Sequence, residues 1–225
     1  QLEAMGELKE EASGEEFKFS DLGMIFTSKM FWLVALLCVL YYSAIFPFQR
    51  YAPDFLDKTL DISNGSQLFS CFPILAMFLT PVLGAFIDRK GKAASMLMVG
   101  SLIMIACHLS FAFLLPMFPS KVFAVAIIAI LGVSFSLVPA ALWPSVPKII
   151  DERILGSAYC VIFWIQNWGL LLVPVIIGKV LDVTGGYTMP MVIFSSFGVV
   201  ALFMGMLLKV EDKKKGYGLE EPNIK

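Results

Sequence analysis

Polar and apolar residues fall along this chain in long blocks rather than in the short periods of a half-buried strand or an amphipathic helix. Six blocks are apolar almost throughout: about 30–48, 67–87, 93–117, 122–146, 158–181 and 189–208. Each is close to or above the roughly 20 residues with which an α-helix crosses the hydrocarbon of a bilayer. Lipid offers backbone N–H and C=O groups no partner, so each block is predicted as a helix. The pattern predicts an all-α membrane protein, a six-transmembrane-helix bundle over residues 29–209. Ahead of it, Phe19–Ser28 mixes Leu22, Met24, Ile25 and Phe26 with Asp21, which predicts a short interfacial helix. Residues 1–28 are expected as a linker ending in that helix, and 210–225 as a tail.

The polar connections set the orientation. Thirteen of the 17 Lys and Arg residues fall on one side; Arg50, Lys58, Lys121 and Lys179 fall on the other. The positive-inside rule therefore places both termini in the cytoplasm. On the outer side residues 49–66 form the longest connection, with a short helix expected at Asp54–Leu60 and Ser63 or Ser66 as a cap. Asn64-Gly65-Ser66 matches a glycosylation sequon, which matters only in a eukaryotic secretory pathway. Thr184-Gly185-Gly186-Tyr187 reads as a tight turn.

Composition agrees with the blocks and narrows the chemistry. Of 225 residues 58% are hydrophobic and 16% charged, against about 25% charged in a soluble domain; mean hydropathy is +0.81. Basic residues border apolar blocks and are not interleaved with aromatics, which argues against nucleic acid as a partner. Cys38, Cys71, Cys107 and Cys160 each lie inside an apolar block with no C-x-x-C spacing, so no metal site or disulfide framework is expected. With a single histidine and no Asp or Glu inside any block, no catalytic residue is assigned, no enzyme is expected and no cofactor is implied. The chain opens on Gln1 with an acidic polar segment, which is expected to be a solvated linker within a longer protein.

The second and third blocks meet at Gly84-Ala85-Phe86-Ile87-Asp88-Arg89-Lys90-Gly91-Lys92. So short a turn makes a helical hairpin at the membrane surface. Gly84 is expected to let a helix approach closely, and Gly91 to supply the turn. Asp88 offers a carboxylate to the positive N-terminal end of a neighbouring helix. Arg89, Lys90 and Lys92 hold the loop in the cytoplasm.

This G-x-x-x-D-R-x-G-K spacing resembles the signature loop of major facilitator superfamily transporters, which carry it after the second and the eighth span. The resemblance covers roughly residues 28–210 and implies one half of a twelve-helix major facilitator fold, spans seven to twelve. Within the superfamily, Tyr41-Tyr42, Phe46-Pro47-Phe48, Ala140-Ala141-Leu142-Trp143-Pro144 and Ile165-Gln166-Asn167-Trp168-Gly169 are similar to a branch that includes a lysosomal dipeptide transporter of animals. It implies an N-terminal six-helix half as partner, within the same polypeptide or as a missing fragment, and a small-molecule solute. It also implies that Asp88 meets the fifth span of the other half, while Gly156-Ser157, opening the fifth span here, receives that half's equivalent aspartate. The membrane expected is the cell (inner) membrane, or the lysosomal one in an animal.

By the same resemblance the first and fourth spans line a central cavity. On the first, Tyr42, Phe46 and Gln49 share a helical face, with Tyr41 adjacent and Arg50 at the outer mouth. These side chains either line the cavity or pack, and Arg50 either draws a substrate carboxylate or anchors at the interface. On the fourth, Gly132, Ser136, Ala140 and Trp143 form a face of small residues ending in an indole; it serves as cavity wall with Trp143 as a gate, or as plain helix packing. On the fifth, Gln166 and Asn167 stand mid-membrane and need polar partners, from a substrate or a neighbouring helix. His108 lies in the third span, peripheral by the resemblance, and is either a satisfied or lipid-shielded histidine or a proton carrier.

Pro47, Pro73, Pro81, Pro139, Pro144, Pro147 and Pro174 interrupt spans where a rigid anchor would carry leucine. Ala76, Thr80 and Gly84 recur every fourth position, a close-packing face. Together these features predict a secondary transporter half that moves a small polar organic solute by alternating access, with short peptides implied by the resemblance alone. A non-transporting membrane scaffold or receptor is the alternative, and an oligomeric six-helix channel a more distant one. Proton coupling requires a carboxylate from the other half; otherwise transport is facilitated diffusion.

Overall fold

The computed structural model describes residues 19–224, and the expected linker over 1–18 lies outside them. The helices are α1 (Phe19–Thr27), α2 (Lys29–Leu60), α3 (Gly65–Phe69), α4 (Cys71–Lys90), α5 (Ala93–Met117), α6 (Lys121–Ile149), α7 (Leu155–Thr184) and α8 (Thr188–Lys215). Six helical segments are long and apolar enough to cross a membrane, as the blocks predict. The segment expected to be interfacial forms α1 and ends where Ser28 caps α2, its Oγ accepting from the Phe31 N–H at 3.3 Å. Within α5, Ser110–Leu114 forms a π-helical turn.

Three local expectations are corrected. The helix that carries the first span does not stop near residue 48, and Asp54–Leu60 is no separate helix: α2 runs unbroken through Pro47 and Pro53 to Leu60. Ala52, Phe55 and Leu56 continue an apolar stripe and are buried, so packing carries the helix past the polar residues between them. Neither Ser63 nor Ser66 caps the next helix. The Asp57 carboxylate does so from α2, accepting from the Gly65 N–H at 2.7 Å. The segment expected as a tail over 210–225 begins inside α8, which runs to Lys215, and then packs back on the bundle with Leu219 fully buried.

The far end of α2 is also tied to the turn before α8. The Tyr187 hydroxyl donates to Asp54, Lys58 pairs with Asp54 at 2.8 Å, and Phe55 meets the Tyr187 ring edge-on. Burial, with the Asp54 hydrogen bond and charge, pushes the Tyr187 phenol's pKa up, so it stays a donor.

Packing repeats within the bundle. α4 packs on α6 and α7 on α2, while α5 and α8 pack on each other and on the two central helices. Exchanging the triplet α2, α4, α5 for α6, α7, α8 therefore reproduces the pattern, the mark of an internal repeat. The bundle is lopsided in burial. In their most apolar windows 67% of α2 is buried, but 17% of the α4 segment and 22% of α7. Met77, Phe78 and Val82 of α4, and Trp164, Leu171 and Val175 of α7, are left facing outward.

Candidate functional site

Between those two open flanks lies an aromatic face. Tyr42 and Phe46, one turn apart on α2, stack with centroids 5.3 Å apart. Trp143 of α6 stacks on Phe163 of α7 at 4.8 Å, and its Nε1 donates to the Tyr42 hydroxyl at 3.1 Å. Because that hydroxyl accepts, its own proton is available to another acceptor. Phe135 meets both Tyr42 and Phe46 edge-on, and Phe72 of α4 lies against Phe135 at 5.6 Å. Four helices thus contribute to one aromatic layer, its pairs in the tilted and offset arrangements aromatic rings prefer. Beside it Phe46, Gln49, Phe72, Ala76, Thr80 and Phe135 line a groove of ≈ 310 Å³.

Of the expected cavity residues, Tyr42, Phe46, Gln49 and Trp143 are brought together here. Tyr41 is not. It points into the bundle, its hydroxyl donating to the Leu97 carbonyl and meeting Ser101 Oγ at 2.8 Å. Consecutive helical residues point about 100° apart, so Tyr41 and Tyr42 cannot serve one face. Ser136 is also buried, bonded to the Gly132 carbonyl at 2.8 Å, and packs against α4 rather than lining the groove. Gln166 sits in the α2–α7 contact and accepts from Cys38 Sγ at 3.1 Å. Asn167 turns outward on α7 beside Trp164, Trp168 and Leu171 and donates to its own helix, to the Phe163 carbonyl, at 2.8 Å. Arg50 is exposed on α2, beside Gln49 and ahead of the last turns that end at Leu60. His108 is fully buried among Phe48, Phe111 and Phe194, with Nδ1 on the Met104 carbonyl at 2.9 Å.

At the signature-loop end, Gly91 ends α4 with φ +72°, a conformation suited to glycine. Arg89, Lys90 and Lys92 are exposed. Asp88 Oδ1 accepts from Asn223 Nδ2 at 2.7 Å. Gly84 makes no close approach within this chain: a Cβ there would meet nothing within 4 Å, because it lies on the open flank of α4. Gly156 and Ser157 stand in the first turn of α7, which no side chain caps. They border an apolar groove of ≈ 690 Å³ with Leu22 and Phe26 of α1 and Trp164 of α7. This larger groove is distinct from the aromatic site.

A family model described as Major Facilitator Superfamily matches residues 3–174. The chain belongs to the Major Facilitator Superfamily. Among curated relatives, the protein named lysosomal dipeptide transporter MFSD1 from Bos taurus is 31% identical over 211 residues, 92% of this chain and 43% of the relative. Its namesake from Gallus gallus is 33% identical over 197 residues, 85% and 42% of the two chains, and that from Homo sapiens 29% identical over 211 residues, 92% and 43%. The chain spans less than half the length of these relatives.

For a superfamily member the fourth transmembrane helix is where the sequence reading was misplaced. Its open face is Phe135, Pro139 and Trp143, one residue out of step with the buried Ser136 and Ala140. Phe135, Phe163 and Phe72 were missed altogether. Counting back from Trp143 by fours reaches Pro139 and Phe135, and by three then four reaches Ala140 and Ser136, so helical spacing alone admits both faces. Phe72 and Phe163 have no such signal, because they join the site only through tertiary packing.

Proposed function

We propose that this chain is half of a secondary transporter, a six-helix bundle that rocks against a pseudo-symmetric N-terminal six-helix bundle by alternating access. The site sits on the aromatic face of α2 and α6, and the solute is small, polar and organic. Short peptides are favoured because the relatives bear the name dipeptide transporter. The observation that carries the reading is the Trp143–Tyr42 bond inside an open aromatic layer. Aromatic walls shed water, while the Tyr42 hydroxyl and Gln49 offer a peptide's amides and termini directed hydrogen bonds.

Arg50 gives the far mouth a cation that can pair with a solute carboxylate. The open flanks of α4 and α7 are where the N-terminal half docks, with Asp88 and the α7 first turn as reciprocal contacts. The loop end faces the cytoplasm, as the Lys and Arg distribution supports. The protein resides in the cell membrane, or in the lysosomal membrane in an animal.

The test is uptake of labelled dipeptides into proteoliposomes of the full-length protein. Saturable uptake, weakened by Tyr42→Phe, is expected. A scaffold or receptor gives no saturable flux, and sustained single-channel currents would indicate a channel.

A further inference from the structure

The signature loop is in contact with the segment that follows α8. Leaving α8 at Gly216, the chain folds back across the ends of four helices. Leu219 is buried and its N–H donates to Asp212 of α8 at 3.1 Å. Its carbonyl accepts from the Ala93 N–H at 3.0 Å, and the Glu220 carbonyl from the Lys92 N–H at 3.1 Å. Glu220 then reaches the first turn of α5, one carboxylate oxygen accepting from the Ser95 N–H at 2.8 Å and the other from Ser95 Oγ at 2.6 Å. Lys92, at the N-cap of α5, makes no side-chain cap of its own, so the returning chain supplies it. Lys148, in the last turn of α6, donates to the Gly218 carbonyl at 2.8 Å. Finally the Asn223 and Ile224 N–H groups donate to the Asp88 carbonyl at 2.8 and 3.0 Å, and Asn223 Nδ2 to Asp88 Oδ1 at 2.7 Å.

Gly91 fits this arrangement for a reason beyond its turn. A Cβ there would lie 2.5 Å from the Glu220 carbonyl oxygen and 2.5 Å from the Glu221 carbonyl carbon. The loop is shaped to receive this segment.

We propose that residues 216–224 are an intramolecular ligand of the signature loop, joining the ends of α4, α5, α6 and α8 into one plate. Asn223 is the positioning residue for Asp88. It occupies Oδ1 and so restrains the carboxylate's rotation. Releasing the segment frees the carboxylate to turn and uncaps α5. A device of this kind sets how Asp88 is offered to whatever docks on the loop, and it stands whether or not the protein transports peptides.

The test uses the full-length protein with its native cysteines replaced and spin labels at Lys90→Cys and Ile224→Cys, both exposed positions. The parent is expected to give one narrow distance. Asn223→Asp opposes two carboxylates and should broaden it. Adding Asp88→Asn reverses the donor and acceptor and should restore the narrow distance, a rescue that loss of folding cannot mimic. Gly91→Ala should also broaden it, through the collision with Glu220. Shortening the chain after Lys215 should speed amide exchange at Lys92, Ala93 and Ser95 by roughly tenfold, the scale of one lost hydrogen bond. A broad distance in the parent overturns the proposal. So does an unchanged narrow distance in Asn223→Asp, or unchanged exchange in the shortened chain. None of these readouts involves flux, so a failure of the transport reading would leave them unaffected.

Discussion

Trp143 Nε1 donates to the Tyr42 hydroxyl at 3.1 Å, linking α6 to α2 at the edge of an open face. A neutral hydrogen bond contributes about 0.5–1.5 kcal/mol net. Tyr42→Phe should therefore raise the half-saturation concentration for a labelled dipeptide by about twofold to tenfold. Adding Trp143→Phe in that background should change little more, because the shared bond is already lost. Saturation uptake by the two single variants and the double is the check, and additive losses would mean the two residues act separately.

Arg50 is exposed on α2, next to the groove-lining Gln49. Arg50→Ala should raise the half-saturation concentration for a solute with a free carboxylate more than it lowers maximal rate. An unchanged half-saturation concentration would make Arg50 an interfacial anchor.

Asp88→Asn tests the charge with little change of shape. The amide oxygen still accepts from Asn223, and the backbone bonds to Asn223 and Ile224 remain. A carboxylate at a helix N-terminus is worth about 0.3–1 kcal/mol exposed and up to ~2 kcal/mol partly buried. Its loss should shift the conformational balance toward the inward-open state by at most about 30-fold, and slow turnover. Spin-label distances across the gap between the halves should lengthen at the loop end while membrane insertion is unchanged. Wild-type distances and flux together would reduce Asp88 to a marker of topology.

Gly169 lets α7 approach α2 closely. A Cβ there would collide with Ser43 Oγ and lie 3.0 Å from Val39 Cγ1. Gly169→Ala should cost about 1–3 kcal/mol in thermal unfolding in detergent. Ser43 Oγ has no hydrogen-bond partner among the described residues, so Ser43→Ala should be near neutral and should recover part of the loss in the double variant. An undisturbed melting temperature in Gly169→Ala would show that the two helices separate freely.

How much of this was legible follows from what apolar blocks encode. Continuous apolarity reports that a helix crosses lipid, so six spans and the signature loop could be read directly. It does not report which way a side chain faces. α6 is apolar on all sides, which leaves Ser136 and Phe135 equivalent to any periodicity argument, and only packing against α4 distinguishes them. Tyr41 and Tyr42 part for a similar reason, one finding Leu97 and Ser101 within the bundle and the other Trp143 at its edge. The extension of α2 was hidden by Arg50, Asp54, Asp57 and Lys58, which look like loop residues until Ala52, Phe55 and Leu56 are seen as one stripe. The placement of Leu219 had no signal at all: a single leucine between Gly218 and Glu220 gives no period to detect.

The returning chain has a practical corollary for anyone who wishes to watch this protein in a cell. Ile224 lies one hydrogen bond from the Asp88 carbonyl, so a fluorescent reporter inserted directly after it would begin at the loop itself, whatever chain follows. Such a fusion is not a neutral handle. Its bulk would pull on the strap from Gly216 to Ile224, and a trafficking or activity defect seen with it would belong to the label. A reporter inserted at the turn of Gly185 and Gly186, where an added Cβ would meet nothing within 4 Å, leaves that strap undisturbed.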